Sequence, residues 1–452
     1  MASIDELRER FLARTKTSKQ IFDRARRVMP GGASRAATAF QPYPIYGQSA
    51  NGAILTDVDG NEYVDFNLEG GSCILGHCAP QIMNRVKAQL DRAEVCSIAS
   101  ELEVEVAEKL SRFIPCLEMM RFLNSGSEAC SIAARLARAY TGKPLLAMFE
   151  GHHHGQLDTL LFSHYGSPAG PADAPETIPD SLGMQAGLQD SVVILPLNDT
   201  EAALRLIRKH SNRLAAVFLE PLTIFSGAIP VEKEFLQAIR DVTAELNILL
   251  VVDEVPAGVR IGRGGAVAAY GVKPDLFITG KALAGGLPVG MFGGRRSILD
   301  PLLSPPYNRE RNVLSSGTFS GNPTVMSACS AVLDALGSGE VHRYINELGD
   351  HVRAELRSLG QSLGVPMQVT GAWSIFGIHF NNKPIRNVRD AQSDAGQRRD
   401  FATAMMANGV LWPAARIAGF LSFAHKEEHI DKLLHACREA IEAVFLHAAA
   451  TR

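Results

Sequence analysis

From about residue 120, short apolar runs alternate with stretches of helical periodicity, and this alternation constrains the fold more than any other feature. The runs are continuously apolar, which is typical of strands buried on both faces. Strands separated by helices form a mostly parallel sheet with helices on its two sides, so we predict an α/β fold. The runs are MRFLN, LLAMFEG, VVILPL (192–197), LAAVFLEP (214–221), ILLVVDEV (248–255) and LFITGK (276–281).

The two ends of the chain have a different pattern. The first 28 residues predict a helix, and residues 53–66 alternate around Asp59-Gly60, which indicates a β-hairpin. After residue 330 a charged helical stretch, a polar loop at 381–398 and two apolar segments indicate a smaller α+β unit. We therefore predict an N-terminal segment over 1–70, a large domain over 71–330 and a C-terminal small domain over 331–452.

Composition excludes several functions. The 452 residues carry a formal net charge of −3 with both signs mixed, so we expect no nucleic-acid partner. The apolar runs are too short to cross a bilayer, and the N-terminal segment lacks the apolar stretch of a secretory signal. Seven scattered cysteines without a Cys-x-x-Cys pair favour neither structural zinc nor disulfides. We expect a cytoplasmic protein without a membrane partner.

Polar groups follow several of the predicted strands, where parallel sheets carry their functional residues. LNSGSEA (123–129) ends a strand and opens a helix, whose N–H groups bind anions. The alternative is an ordinary cap formed by Ser125 or Ser127. Asp253 ends an apolar strand, where a buried carboxylate needs a partner such as a protonated ring nitrogen. The alternative is a salt bridge or a helix cap.

Lys281 follows the last apolar run and precedes a turn of small residues. A partly buried lysine amine is a nucleophile for Schiff-base chemistry, although a lysine at such a place can also extend to solvent. Thr318, in SSGTFSGNP (315–323), offers a further donor of the size that suits a phosphate. An anion cradle, a carboxylate and a lysine at strand ends together indicate pyridoxal 5′-phosphate (PLP) as the cofactor.

The segment LLVVDEVPAGVRIGRGGAVAAYGVKPDLFITGKALAGGLP resembles the signature of the class III, or omega, aminotransferases. NSGSEA, FEGHHHG, LEP and GTFSGNP fall in the order of that family, and the resemblance covers roughly residues 25–445. It implies PLP fold type I: a large domain with a mostly parallel seven-stranded sheet flanked by helices, and a small α+β domain from the N- and C-terminal segments. PGG, LTDVDGNEYVDF, ILGH and GFLSFAH are most similar to the glutamate-1-semialdehyde 2,1-aminomutase branch.

The resemblance implies a role for each matching residue. Lys281 forms the Schiff base and moves the substrate proton, and Asp253 pairs with the ring nitrogen. Thr318 binds the phosphate of the other subunit, which implies a homodimer with a shared site. Cofactor binding is implied for Ser125, Gly126, Ser127, His153, Glu220, Asp253, Val255, Lys281 and Thr318.

One position departs from the family. Tyr-His-Gly is usual where this chain has His153-His154-Gly155, so His153 takes the position that stacks on the cofactor ring. An imidazole stacks on a ring, but it also titrates near neutrality. Adjacent histidines rarely aim at one point, so we expect no metal at residues 152–154.

The substrate positions also differ from the aminomutase pattern. Arg35, Thr38 and Ile417 occupy positions where the aminomutases carry serine, arginine and glutamate. PGGASRAA instead resembles aromatic β-amino acid aminotransferases such as β-phenylalanine aminotransferase. That likeness implies that Arg35 binds a substrate carboxylate and that Arg416 helps with a second one, unless Arg416 is only a rim residue. Three aromatic residues line an apolar pocket or belong to the core: Phe40, Phe225 and Trp412.

The sequence thus predicts a PLP-dependent aminotransferase that moves an amino group from a β-amino acid or related amine to a 2-oxo acid. The alternatives are an aminomutase of the glutamate-1-semialdehyde type or an amino acid racemase or epimerase on the same scaffold. A PLP-binding protein without catalysis is a further alternative, against which Lys281 and Asp253 argue.

Overall fold

The computed structural model describes residues 2–35, 42–164, 168–412 and 418–446. Its helices are α1 Ile4–Arg14, α2 Lys16–Ala25, α3 Leu68–Gly71, α4 Pro80–Leu90, α5 Glu101–Phe113, α6 Gly126–Thr141, α7 Thr200–His210, α8 Lys233–Glu245, α9 Gly258–Ile261, α10 Gly265–Tyr270, α11 Arg296–Leu303, α12 Pro323–Leu336, α13 Glu340–Leu363, α14 Ala395–Ala407 and α15 Glu427–Ile441. Its strands are β1 Gly47–Asn51, β2 Ile54–Asp57, β3 Glu62–Asp65, β4 Met119–Leu123, β5 Leu145–Phe149, β6 Val192–Leu195, β7 Leu214–Leu219, β8 Leu222–Thr223, β9 Ile229–Pro230, β10 Leu249–Asp253, β11 Leu276–Gly280, β12 Gly290–Gly294, β13 Gln368–Thr370, β14 Ile375–His379, β15 Val410–Leu411 and β16 Ala418–Phe420.

A seven-stranded sheet in the order β4-β12-β11-β10-β7-β5-β6 forms the centre of the molecule. The pairs β11–β10, β10–β7, β7–β5 and β5–β6 are parallel, and β12 is antiparallel to both of its neighbours. Every residue of β5, β7, β10, β11 and β12 is buried, as their continuously apolar sequences predict. The predicted α/β fold with a mostly parallel sheet is confirmed.

The register of β10 and β11 brings the two main candidate residues to one edge of this sheet. Asp253, the last residue of β10, lies beside Ile278 of β11. Lys281 follows β11 directly. Helix α6 packs against β11 and β12, and all of its buried residues except Leu136 are small: Ala129, Cys130, Ala133, Ala134 and Ala137. These short side chains let the helix, and the loop before it, approach the strand ends closely.

The two ends of the chain share a second core. Strands β2 and β3 form the predicted antiparallel hairpin, and β15 pairs in parallel with β3. Buried residues from α1, β3, α13, β14, α14 and α15 pack together there. We propose that this core belongs to the small domain predicted from the N- and C-terminal segments.

Two local predictions need adjustment. The predicted N-terminal helix is two helices, because the backbone of Thr15 leaves the helical conformation, with φ −120° and ψ 40°. The buried Thr15 hydroxyl bonds the Phe11 carbonyl at 2.8 Å and the Tyr43 hydroxyl at 2.9 Å. The predicted linker 381–398 contains the start of α14, whose N-cap is Asp394. Among the described residues, no helix is both long and apolar enough to cross a membrane.

Candidate active site

A cavity of about 710 Å³ lies beyond the carboxyl ends of β10 and β11. It brings together residues that the sequence analysis had selected from distant segments of the chain. The predicted residues that line it are Arg35, Gly126, Ser127, His153, Glu220, Phe225, Asp253, Val255 and Lys281.

Lys281 stands at the point where β11 becomes a short 3₁₀ turn, Lys281–Ala284. Its φ of 44° lies in the left-handed region, which costs a residue with a side chain roughly 1–3 kcal/mol and, besides turns, is found at active sites. The side chain is half-buried and lines the cavity. The structure therefore holds a lysine in an unfavourable backbone conformation at the cavity floor, which favours a functional role over a purely structural one.

Asp253 is 2% exposed and accepts three hydrogen bonds from the protein. His154 Nδ1 lies 2.9 Å from Asp253 Oδ2, and because a carboxylate only accepts, Nδ1 carries the proton. The Cys130 thiol donates to the same oxygen over 3.3 Å, and the Val255 N–H donates to Oδ1 over 3.0 Å. These donors stabilise the negative charge in a buried place. Since a carboxylate has about four acceptor positions, one remains for a ring N–H in the cavity.

Cys130, His154 and Asp253 also meet the distance criterion for a metal site, since their ligand atoms lie within 4.8 Å of one another. Burial raises the pKa of the Cys130 thiol well above its usual value, and the nearby Asp253 charge adds to the shift. A protonated thiol is a hydrogen-bond donor, whereas a metal ligand is a thiolate. The contacts of this cluster are therefore those of two donors around one carboxylate.

The start of α6 forms the predicted anion cradle. Ser125 is the N-cap: its Oγ accepts from the Glu128 N–H at 3.2 Å and donates to Glu128 Oε2 at 3.1 Å. Gly126 and Ser127 line the cavity instead. The Ser125 hydroxyl thus serves the helix cap, and its part in cofactor binding stays a prediction.

Two glycines keep this cradle open. A Cβ on Gly126 would lie 2.9 Å from Val255 Cγ2. Gly155 has a φ of 99°, and a Cβ there would lie 2.6 Å from both Cα and Oγ of Ser127. The loop that follows β5 therefore approaches the helix N-terminus so closely that only glycine fits. Such a cradle of backbone N–H groups at a helix N-terminus suits a phosphate.

The three consecutive histidines have three different environments. His152 is fully buried, and burial, with the proximity of His154, lowers the pKa of His152 well below its usual value. Its Nδ1 accepts the N–H of Glu220 over 3.0 Å, and Glu220 Oε2 accepts the N–H of His153 over 2.7 Å. His154 bonds Asp253. Glu220 therefore orders the loop that carries His153.

His153 lines the cavity with an aromatic neighbour on each of two sides. Its ring centroid is 4.3 Å from that of Phe225 and 4.4 Å from that of His164. Phe225 lines the cavity, which settles its predicted alternatives in favour of the pocket. Trp412 is 2% exposed and packs against Phe376 in the second core, so it is a core residue. Phe40 and Arg416 lie outside the described residues.

The outer wall of the cavity includes Arg35, which forms an ion pair with Glu69. Both side chains are about half exposed. Glu69 belongs to a run of four residues with left-handed backbone, Leu68 to Gly71. The Asp65 carboxylate holds the start of this run by accepting the N–H groups of Asn67 and Leu68.

Sequence reasoning missed several cavity residues. Asp180 lines the wall and bonds His164 Nδ1 at 2.9 Å, but it belongs to a stretch rich in Pro, Gly and Ala that carries no motif. Cys130 was missed because it lies among alanines in α6 and belongs to no motif. His154, which contacts Asp253 but does not line the cavity, was also missed, although it stands next to the predicted ring-stacking residue His153.

Thr318 is exposed and does not line the cavity among the described residues. The neighbouring Phe319 is 59% exposed. The contact of Thr318 with the cofactor of another subunit stays a prediction.

Known proteins are similar to this chain over most of its length. The family described as aminotransferase class-III matches residues 36–441. A glutamate-1-semialdehyde 2,1-aminomutase of Methanosarcina acetivorans is 38% identical over 420 residues, which cover 93% of this chain and 97% of the relative.

Two solved structures are also similar. An omega-transaminase from Sphaerobacter thermophilus superposes with a TM-score of 0.90 at 34% identity, over 94% of this chain and 97% of the other. A β-phenylalanine aminotransferase from Variovorax paradoxus gives a TM-score of 0.87 at 29% identity, over 99% and 97%.

The cavity also fits the cofactor of this family. It combines an anion cradle kept open by Gly126 and Gly155, a buried carboxylate with acceptor capacity left, and a lysine at a strand end. These are the three groups that PLP needs. The chain belongs to the class III aminotransferases and is a PLP-dependent enzyme of fold type I.

Proposed function

We propose that this enzyme transfers an amino group from a β-amino acid, or a related amine, to a 2-oxo acid. The observation that carries the proposal is Arg35 in the cavity wall. A guanidinium binds a carboxylate through two parallel N–H donors, a contact that suits an amino acid substrate. Phe225 and His153 add an aromatic surface suited to an apolar or aryl side chain.

We infer the following division of labour around the cofactor. Gly126 and Ser127 hold the phosphate, Asp253 faces the ring nitrogen, Val255 and His153 pack on the ring, and Lys281 holds the aldehyde carbon. When bound, the cofactor withdraws electrons from the amine-bearing carbon of the substrate, so that a proton can leave that carbon.

The protein's own groups handle the protons in this scheme. Once released from the aldehyde carbon, the Lys281 amine would be placed to accept the proton that leaves the substrate carbon, which requires that amine to be neutral. Asp253 keeps its charge because His154, Cys130 and Val255 donate to it, and a charged carboxylate retains the proton on the ring nitrogen. Glu220, 1% exposed, orders the His153 loop beneath the substrate.

The aminomutase reaction is the second candidate, and the 38% identity to an aminomutase favours it. Against it stand three positions at which the chain departs from the aminomutase pattern: Arg35, Thr38 and Ile417. These replacements remove the polar set that the resemblance assigns to the amino-aldehyde acid. The similarity to a β-phenylalanine aminotransferase supports the first candidate instead.

We also propose a cytoplasmic homodimer. Thr318 and Phe319 are exposed on one subunit, which suits a contact with a second copy. All seven cysteines are free thiols, which is typical of a reducing compartment.

A donor panel tests the substrate class. β-Phenylalanine, β-alanine, L-alanine and 1-phenylethylamine are each combined with pyruvate or 2-oxoglutarate, and glutamate-1-semialdehyde is tested for conversion to 5-aminolevulinate. We expect Arg35→Ala to lower kcat/KM for carboxylated donors roughly 10²- to 10³-fold, because the substrate carboxylate loses its partner. 1-Phenylethylamine, which lacks a carboxylate, should change little.

Arg27→Ala, an exposed arginine in the preceding turn, is the matched control and should behave like the wild type. Efficient production of 5-aminolevulinate would favour the aminomutase. An equal loss with amines and amino acids in Arg35→Ala would make Arg35 structural and remove the main support for β-amino acids.

A further inference from the structure

Cys130 occupies an unusual place for a core residue. It lies near the start of α6, is 1% exposed, and yet lines the cavity. Its thiol donates to Asp253 Oδ2 across 3.3 Å, between residues that are far apart in the chain. The contact therefore depends on the packing of α6 against the sheet.

The neighbours of Cys130 show which part of this side chain is needed for packing and which part is not. The other buried residues on this side of α6 are mainly alanines, including Ala129, Ala133 and Ala134. Alanine at position 130 would satisfy the same close approach to β11 and β12. The sulfur is the part that reaches the carboxylate, so its function is better sought in that hydrogen bond than in the filling of space.

Two donors converge on one oxygen of Asp253. His154 Nδ1 reaches Oδ2 at 2.9 Å from the loop after β5, and Cys130 reaches it from α6. Oδ1 accepts only the Val255 N–H among the described contacts. This asymmetric set fixes the rotation of the carboxylate, concentrates two donors on Oδ2 and leaves Oδ1 with acceptor capacity.

We propose that Cys130 is a positioning residue of this enzyme: its thiol, with His154, holds Asp253 Oδ2 so that the carboxylate stays charged and presents Oδ1 to the cofactor's ring nitrogen. The proposal deepens the proposed function and rests on its assignment of Asp253 to that nitrogen. No bond is made or broken at the sulfur, and Cys130 acts only through Asp253.

The first experiment measures the hydrogen bond itself in the protein without cofactor. Infrared difference spectra, wild type minus Cys130→Ala, isolate the S–H stretching band of this thiol. We expect a band shifted by a strong acceptor, and we expect Asp253→Asn to move it toward the position of a weakly bonded thiol. Cys329, a buried thiol on α12 that packs among apolar residues, is the control, and its band should not respond to Asp253→Asn. A Cys130 band that is insensitive to Asp253→Asn would overturn the proposal.

The second experiment measures the consequence in the holoenzyme reconstituted with ¹⁵N-labelled PLP. We expect Cys130→Ala to shift the ring nitrogen signal toward the unprotonated form and to lower kcat about three- to tenfold, the effect of one lost donor. Cys130→Ser retains a donor and should recover most of the nitrogen shift and the rate. Thermal unfolding of both variants shows whether either change reflects loss of fold.

The outcomes distinguish the inference from the proposed function. If Asp253→Asn leaves the ring nitrogen signal unchanged, Asp253 does not face that nitrogen and the proposed cofactor arrangement fails. If Asp253→Asn changes the signal but Cys130→Ala matches the wild type in signal and rate, the arrangement stands and the role of Cys130 is refuted.

Discussion

The floor and the rim of the cavity are built on different principles. The floor consists of Gly126, Ser127, Asp253 and Lys281 at the ends of buried strands and the start of a buried helix. The rim, formed by Arg35, Glu69, Phe225 and Asp180, comes from the N-terminal segment and from loops. The floor carries the groups that any PLP enzyme needs, whereas the rim carries the groups that we propose meet the variable part of a substrate.

The two regions also differ in burial. Asp253 is 2% exposed and receives donors from three segments, so its position is determined by contacts on every side. Arg35 and Glu69 are about half exposed, where ion pairs are worth roughly 0–1 kcal/mol. In the proposed function, a substrate carboxylate would compete with Glu69 for Arg35 at little cost. The comparison teaches that the groups assigned to the chemistry are held in the interior, while the arginine assigned to selectivity makes a half-exposed contact that is easily exchanged.

The largest effect is expected from removal of the floor lysine. Lys281→Ala should lower kcat by about four orders of magnitude or more for every donor, because both the nucleophile and the proton carrier are lost. Borohydride reduction followed by peptide mass analysis should find the cofactor attached to Lys281 in the wild type and to no lysine in the variant. Lys273→Ala, at a surface pair with Glu118, is the control. Attachment to another lysine in the wild type would refute the assignment.

A second variant tests the charge at the floor. Asp253→Asn preserves shape but removes the negative charge, so the ring nitrogen loses its counter-ion. We expect a loss of roughly 10²- to 10³-fold in kcat, comparable with removal of other preorganised electrostatic groups. The loss should be the same for donors with and without a carboxylate. A rate near that of the wild type would contradict the floor assignment. A loss that depends on the donor would mean that Asp253 also affects the choice of substrate.

The rim should respond selectively. Glu69→Gln frees Arg35 from a competing carboxylate, so KM for carboxylated donors should fall about threefold, in keeping with a half-exposed pair. KM for 1-phenylethylamine should not change. Glu62→Gln, an exposed residue on nearby β3, serves as the control. A rise of KM for carboxylated donors would mean that Glu69 positions Arg35 instead of competing for it.

The smallest effect on catalysis is expected from the support beneath the rim, where a change should act on stability. His77 Nε2 lies 2.8 Å from Asp65 Oδ2, and Asp65 in turn holds the backbone that leads to Glu69. Burial lowers the pKa of His77, but hydrogen bonds with Asp65 and Cys73 outweigh it and raise this pKa to about 10. The folded state thus binds the proton more tightly than an unfolded chain, whose histidine pKa is about 6.5.

This stabilisation should be fully present below pH 6.5 and should be lost as the pH rises through 10. His77→Gln keeps a donor but no charge, so it should reduce the free energy of unfolding by roughly 2–5 kcal/mol at pH 6, because each pKa unit between the folded and unfolded states is worth about 1.4 kcal/mol, and by much less above pH 10. Urea denaturation of both proteins at the two pH values measures the difference. A difference that grows with pH would contradict the assignment.

Local patterns carried much of the fold and part of the site. Continuous apolar runs identify strands buried on both faces, because any such strand must exclude polar side chains along its whole length. Asp253 and Lys281 were detectable because each interrupts or ends such a run. Other features depend on distant contacts: where the N-terminal helix is interrupted, the Thr15 hydroxyl bonds Tyr43, a residue far away in the chain.

The sequence by itself determined the α/β architecture, the class III family signature, and the lysine, carboxylate and glycines of the floor. Only the tertiary structure decided that Cys130 and His154 meet on Asp253, that Arg35 pairs with Glu69, and that Trp412 belongs to a core. The physical reason is the distance along the chain over which each signal acts. Periodicity and turn chemistry act over a few residues and are visible in the chain, whereas hydrogen bonds between distant segments depend on how helices and strands pack, which no local pattern records.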